Sequence, residues 1–419
     1  MSYYTLPKTN NSITIDPDLN QSMDILTPYV SHSLVNYLQD AHVNIHNFLS
    51  IDTQYTFEQL SSIINPYEHI FTKIPNTKYS VSKLKPYSNT FYDFMEISNT
   101  LSLFDSFQEK NIDTLHFGDN CLSTIECLNI LREDKDDTND IYKNPDLRYP
   151  PGLRIEPTLI PIFSEKKYHF IYYETHDHIY KNTNEYCLSL IHAINHIFNY
   201  QREKGACVIK ISNIYFKPLI DILYILSSLY EKVYIIKPNT TSIVTTDKYF
   251  VCKFFTCDSL KMIDYQERLN KVYHLCMKNR DEVIIHSLVR NEIPYYFLNK
   301  IEEANIIIGQ QQLEAYDQMM NILKNRNREE KIETLRKNNV QKCMHWCDKY
   351  KIPYNRFSEK INIFLPLIRC TENGSEIDFE EICEDQDGER RAYSGGRMQD
   401  EYNTDIYVDT EEIEIALHL

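Results

Sequence analysis

The chain has 419 residues, enough to bury one large core or one core with helical additions. Its formal charge of −16 is uneven: residues 371–419 carry 16 Asp and Glu against 3 Arg, which leaves the rest of the chain close to neutral. No stretch of 18 apolar residues and no charged-then-apolar leader is present, so a membrane protein is excluded and a soluble intracellular or particle-borne one is expected.

Residues 1–20 are polar and read as loose. Apolar spacing in Leu26–Gln39 and Thr56–Phe71 predicts helices, which makes 1–80 an N-terminal helical extension. Residues 81–104 read as a loop followed by an amphipathic helix. Thr114–Leu131 then gives a short strand, a turn at Gly118-Asp119-Asn120, and a helix. The run 132–153 is charged and Pro-bearing, as surface loops are. Apolar character returns at 167–180 as a strand and a polar loop, and a helix over 184–200 follows. Residues 205–255 run strand, helix, strand, charged turn, strand; Lys210 ends the first strand, Lys237-Pro238 ends the second, and Asp247 opens the third. Strands alternating with helices predict an α/β fold with a mainly parallel sheet covered on both faces. From 259 to 370 the pattern is nearly all helical, and the acidic 371–419 reads as a disordered tail.

Residues 205–255 resemble the C-terminal half of the FtsJ/RrmJ-like ribose 2′-O-methyltransferases, including the viral and cellular mRNA-cap enzymes. In that family a strand ends in a catalytic Lys, a Lys-Pro turn follows, and a Glu sits ten residues after the turn lysine. Here Lys210 stands at the strand end in Val-Ile-Lys-Ile, and Asp247 falls ten residues after Lys237. The resemblance covers about residues 81–258 and implies a Rossmann-like S-adenosylmethionine methyltransferase sheet with helical N- and C-terminal additions. By the same matching, Glu174 at the end of the strand Phe-Ile-Tyr-Tyr takes the place of the family Asp, with Asp177 a second candidate. The first family Lys is matched by Asp93, a charge reversal. The Arg of the family turn is Ser242, and the Pro-Gly-Gly cofactor loop is matched by Gly118, Asp119, Asn120 and Cys121, followed by Leu122 and Ser123.

Catalytic roles therefore fall by resemblance on Lys210, Glu174 and Asp247, and cofactor binding on Gly118, Asp119, Asn120 and Cys121. The implied cofactor is S-adenosylmethionine. The implied substrate is RNA, above all capped mRNA, in the cytoplasm of a host or inside a virion. Methyl transfer to a ribose hydroxyl needs an aligned hydroxyl and a lysine whose state is set by neighbouring carboxylates. The degenerate loop leaves a second reading open: a catalytically inactive subunit that stabilises a partner in a capping complex, as the methyltransferase-like subunit of poxvirus capping enzymes does.

Other clusters read as structural. His192 and His196 stand four apart on an apolar helix with no Glu following His192, so they are core or rim histidines rather than metal ligands. Thr175-His176-Asp177-His178 reads as a polar loop, and Cys343 and Cys347 as one helical face packing Trp346, the sole tryptophan. Lys324, Arg326, Arg328, Lys331, Arg336, Lys337 and Lys342 make a basic stretch able to meet RNA phosphates, but interspersed Glu329, Glu330 and Glu333 favour a solvated helix. Eleven cysteines, an odd number with no paired framework, predict free thiols in a reducing compartment.

Overall fold

The computed structural model describes residues 2–9, 13–20, 26–51, 54–142, 158–160, 166–174, 183–256, 258–278, 283–325 and 328–356. The second candidate Asp177, the loop 175–178, residues 143–153 of the charged run and the acidic tail lie outside them. Residues 1–355 form one compact unit.

Its centre is an eight-stranded sheet. In chain order the strands are β1 (Ser2–Leu6), β3 (Asp113–Phe117), β4 (Thr138–Tyr142), β5 (Thr158–Ile160), β6 (Tyr168–Glu174), β7 (Gln201–Ile211), β8 (Tyr230–Lys237) and β9 (Lys248–Phe255), with β2 (Ile15–Asn20) in a separate pair. Their spatial order is β1-β8-β9-β7-β6-β3-β4-β5. Strands β3 to β7 are parallel, whereas β9 runs antiparallel between β7 and β8. The order reverses between β3 and β6, the switch point at which doubly wound sheets bind ligands beyond their strand C-termini. The seven strands β3 to β9 thus form the expected Rossmann-like sheet of the methyltransferase type, and β1 is an eighth strand on the β8 edge.

Alternation along the parallel strands assigns the two faces. His116, Phe170 and Tyr172 face α3 (Thr90–Thr100) and α4 (Cys121–Leu131): Phe94 packs its ring on Phe170 and Tyr172, and His116 Nδ1 pairs with Thr124 Oγ1 at 2.8 Å. Phe117 and Tyr173 face α5 (Thr183–Tyr200), while α6 (Lys217–Leu229) lies between the sheet and the C-terminal elements. Asp221 of α6 is fully buried because its Oδ2 accepts from Leu288 N at 2.7 Å and Val289 N at 3.3 Å.

Three expectations change here. The run 132–153, read as a surface loop, contains β4, which pairs with β3 and β5 in the central sheet. Residues 1–20 contain two strands: β1 pairs antiparallel with β8, and β2 pairs with β10 (Ile284–Val289), a strand inside the stretch read as nearly all helical. Short polar segments such as Ile15–Asn20 carry little apolar alternation, and what holds them is backbone pairing to a distant edge. The remaining C-terminal elements are α7 (Ser259–Lys278), α8 (Tyr295–Lys324) and α9 (Arg328–Lys349). Helices α1 (His32–Ile51) and α2 (Phe57–Ile64) pack on α8 and α9 through Leu38, Ile45, Leu60, Ile64, Met319 and Ile332. All eight described cysteines are free and buried, in keeping with the thiol reading.

Histidine burial gives the fold an acid limit. His196 is packed against Phe117 and Tyr142 at ring separations of 4.7 and 4.9 Å, and neither ring nitrogen has a hydrogen-bond partner among the described residues. Burial, helped by His192, pushes its pKa down to about 3, and burial alone does the same for His116. Both rings are neutral when folded and protonate near 6.5 when unfolded, so stability is full above that pH and falls below it. The expected slope is about 1.4 kcal/mol per pH unit for each ring. Denaturant midpoints between pH 6.5 and 5 should show it. His196→Phe should reduce the slope by about one proton's worth, and an unchanged slope would show that His196 is not held neutral.

Candidate functional site

Strand register builds the site. Glu174 ends β6 opposite Lys210 of β7, and Lys210 lies opposite Tyr249 of β9. Opposed residues share a face, so the three side chains form one row at the C-terminal edge, on the side of α3. Lys210 Nζ donates to Glu174 Oε1 at 2.9 Å, in a pair whose side chains are 20% and 4% exposed. The same Oε1 accepts from Asn120 Nδ2 at 3.0 Å, and Oε2 accepts from the Asn120 backbone amide at 3.2 Å. One carboxylate therefore joins β6, β7 and the turn that opens α4.

At the other end of the row, Tyr249 OH donates to Asp93 Oδ2 at 2.9 Å, and Thr240 Oγ1 donates to Asp93 Oδ1 at 2.5 Å. One helical turn further along α3, Glu96 Oε2 accepts from the Asn239 amide at 3.0 Å and from Trp346 Nε1 of α9 at 3.1 Å. Asn89 Nδ2 donates to Thr240 O at 3.2 Å. The turn after Lys237-Pro238 is thus held by two buried acids rather than by the arginine of the family turn.

Charge states follow from these contacts. Burial alone would lower the Lys210 pKa, but Glu174, Asp247 and Asp93 outweigh it and hold the amine well above its usual value. Lys237 is more deeply enclosed and donates to Thr245 O; burial brings it down to about 8 although Asp247 and Asp93 act against this. Burial raises Asp93 and Glu96, against the bonds from Thr240 and Tyr249 to the first and from Trp346 and Asn239 to the second.

The residues marked in sequence fare unequally. Glu174, Lys210, Gly118 and Asn120 are brought into direct contact or close approach. Asp247, half-buried just before β9, acts on Lys210 and Lys237 by its charge. Asp119 is exposed beside the turn glycine. Cys121 is fully buried and packs with Leu122, Ile125 and Ile141, so only its backbone faces the loop. Cys121 and Leu122 are both buried and turn inward. Asp93, the charge reversal, anchors the Lys-Pro turn through Thr240 and bonds Tyr249. The residues alone gave no site role to Glu96, Tyr249, Lys237 or Trp346. The one signal was a pair of acids three apart, Asp93 and Glu96, inside an otherwise apolar helix.

The turn's chemistry bears on the implied cofactor. Gly118 has φ of +108°, and its first-turn neighbour Asn120 offers a backbone amide and a side-chain amide at the head of α4. Those donors bind a carboxylate, since they hold that of Glu174. The donor set therefore fits the carboxylate end of S-adenosylmethionine, provided Glu174 releases Asn120 and stays on Lys210.

Gly118 is required for a reason internal to the protein. A Cβ there would lie 2.7 Å from Glu174 Cβ and 3.2 Å from its carbonyl oxygen, at a backbone angle that side chains rarely adopt. Gly118→Ala should therefore cost about 2 kcal/mol or more in chemical denaturation, and a change within 0.5 kcal/mol, about the neutral range of surface substitutions, would refute the close approach.

No family model matches the chain, and no curated protein matches it. Solved structures similar to it include a protein described as a ribosomal RNA methyltransferase from Plasmodium falciparum, 18% identical over 40% of this chain and 97% of that one, with a TM-score of 0.29. Human methyltransferase-like protein 13 in complex with SAH is 8% identical over 44% and 90%, with a TM-score of 0.26. A plantazolicin methyltransferase, also with SAH, is 14% identical over 67% and 94%, with a TM-score of 0.23. Overlap of this extent says nothing of activity. The methyltransferase-type fold stands on strand order and direction.

Proposed function

We propose that the chain is an S-adenosylmethionine-dependent RNA ribose 2′-O-methyltransferase acting on mRNA, with the cap-proximal ribose as its target. The observation that carries this reading is the row of Glu174 and Lys210 at the sheet's switch point, with Asp247 acting on the same lysine. S-adenosylmethionine would supply an activated methyl group, held by Gly118, Asp119, Asn120 and the backbone of Cys121.

The remaining work belongs to the protein. A lysine kept cationic cannot accept a proton, so Lys210 acts as a donor. Its ammonium orients the ribose hydroxyl oxygen and stabilises the negative charge that grows there as the hydroxyl proton passes to solvent water. Glu174 and Asp247 fix the position and charge of that ammonium.

A second reading is favoured by one contact. Glu174 already fills the donors of Asn120, and a chain that never releases them would be a catalytically inactive methyltransferase-fold subunit supporting a partner in RNA capping or processing.

Calorimetry with S-adenosylmethionine and S-adenosylhomocysteine separates the two. The enzyme reading expects binding at micromolar to millimolar ligand; silence at millimolar ligand would overturn it and leave the second. Where methyl transfer to capped RNA is measured, Lys210→Ala should reduce it by about 10²-fold or more, with cofactor binding nearly unchanged. Undiminished transfer by that variant would remove Lys210 from the site.

A further inference from the structure

We infer that the segment 83–89 and the C-terminal end of α9 together form a binding track for single-stranded RNA that leads into the site. Residues 80–83 pair with 353–355: Lys83 N donates to Pro353 O at 2.9 Å, Asn355 N to Val81 O at 2.8 Å, and Asn355 Nδ2 to Ser80 O at 2.9 Å, about a bridge between Ser82 and Tyr354. This pairing joins the segment that carries Lys83 and Lys85 to the one that carries Lys349 and Lys351, four exposed lysines. Lys83, Lys85 and Lys351 form no ion pair with a described residue. The acids along the segment are Asp348 and Glu126, and Glu126 is engaged by the Tyr87 amide at 2.9 Å.

The track has fixed geometry. Lys351 sits at φ of +56° where α9 ends, locked by Ile352 N donating to Cys347 O at 2.9 Å and by burial of Ile352. Tyr92 OH donates to Leu84 O at 3.1 Å, which pins the backbone between Lys83 and Lys85. Tyr87, 44% exposed, lies along it. Beyond Tyr87 the segment docks on both halves of the site: Ser88 N donates to Ser123 Oγ of α4 at 2.6 Å, and Asn89 reaches Thr240 of the Lys-Pro turn.

Unpaired lysines along a rigid backbone suit phosphates, and exposed aromatic faces suit unstacked bases; together they select a single strand over a duplex. The α9 face that drew attention in sequence is less suited, because Arg336 and Lys337 are engaged by Glu333.

The inference rests on RNA being the substrate, and its test omits cofactor so that the two can fail separately. Anisotropy of a labelled single-stranded RNA of about a dozen nucleotides should show salt-dependent binding by the full chain. The combined variant Lys83→Glu, Lys85→Glu and Lys351→Glu should weaken it at least tenfold. It should also flatten the log–log salt slope by about 2, since each phosphate left without its lysine removes about 0.7. Tyr87→Ala should cost about fivefold or more. The control pair Lys337→Glu and Lys342→Glu should stay within about twofold. Equal losses in control and track variants, or no loss in the track variant, would overturn the inference. So would competition by polyglutamate as effective as by RNA, which would assign the surface to an acidic protein segment. RNA binding that follows this pattern without methyl transfer would sink the transferase reading and leave the track standing.

Discussion

The carboxylate of Glu174 is the contact on which the site depends. It is almost fully buried, and a buried carboxylate is costly unless charged and hydrogen-bonding partners replace the water it has lost. Lys210 supplies the cation, and Asn120 supplies two amide donors. The consequence is geometric. The strand that carries the lysine, the strand that carries the acid and the turn that opens α4 cannot shift independently, and Gly118 must lack a side chain because Glu174 lies against it. Cation and turn are thus tied to one group, and any ligand that takes the amides must displace it.

A second tier of buried acids gives the opposite wall its shape. Asp93 and Glu96 lie one turn apart on α3 and accept hydrogen bonds from Thr240, Tyr249, Asn239 and Trp346. Because Trp346 belongs to α9, the C-terminal helical region is part of the wall of the site rather than a separate appendage. Burial favours protonation of both acids, while the donors around them favour ionisation, so the wall holds its form through hydrogen bonds more than through charge. Lys237 completes this tier as an amine softened by burial, in contrast with Lys210, which three carboxylates keep charged.

Parts of this were legible in the residues themselves. Lys210 and Glu174 could be read as neighbours because each ends an apolar strand, and strand ends at one edge of a parallel sheet converge whatever the loops do. Asp247 was placed by spacing to the turn lysine. Strands β1, β2 and β10 escaped because each is short and lies at an edge or in a separate pair, where backbone pairing rather than apolar alternation decides the structure. Asp93 was identified as a departure from the family pattern, but its purpose needed the positions of Thr240 and Tyr249, about 150 residues away in sequence.

The residues alone set the class of sheet and mark which side chains stand at the ends of its apolar strands. These follow from local periodicity and from turn residues, which neighbouring positions encode. What those side chains are bonded to comes from packing alone: Glu174 grips the turn as well as Lys210, Cys121 and Leu122 are buried, and residues 80–83 pair with 353–355. Such pairings join residues tens to hundreds of positions apart. They are selected by burial and by hydrogen-bond satisfaction in the packed molecule, and no local pattern records them.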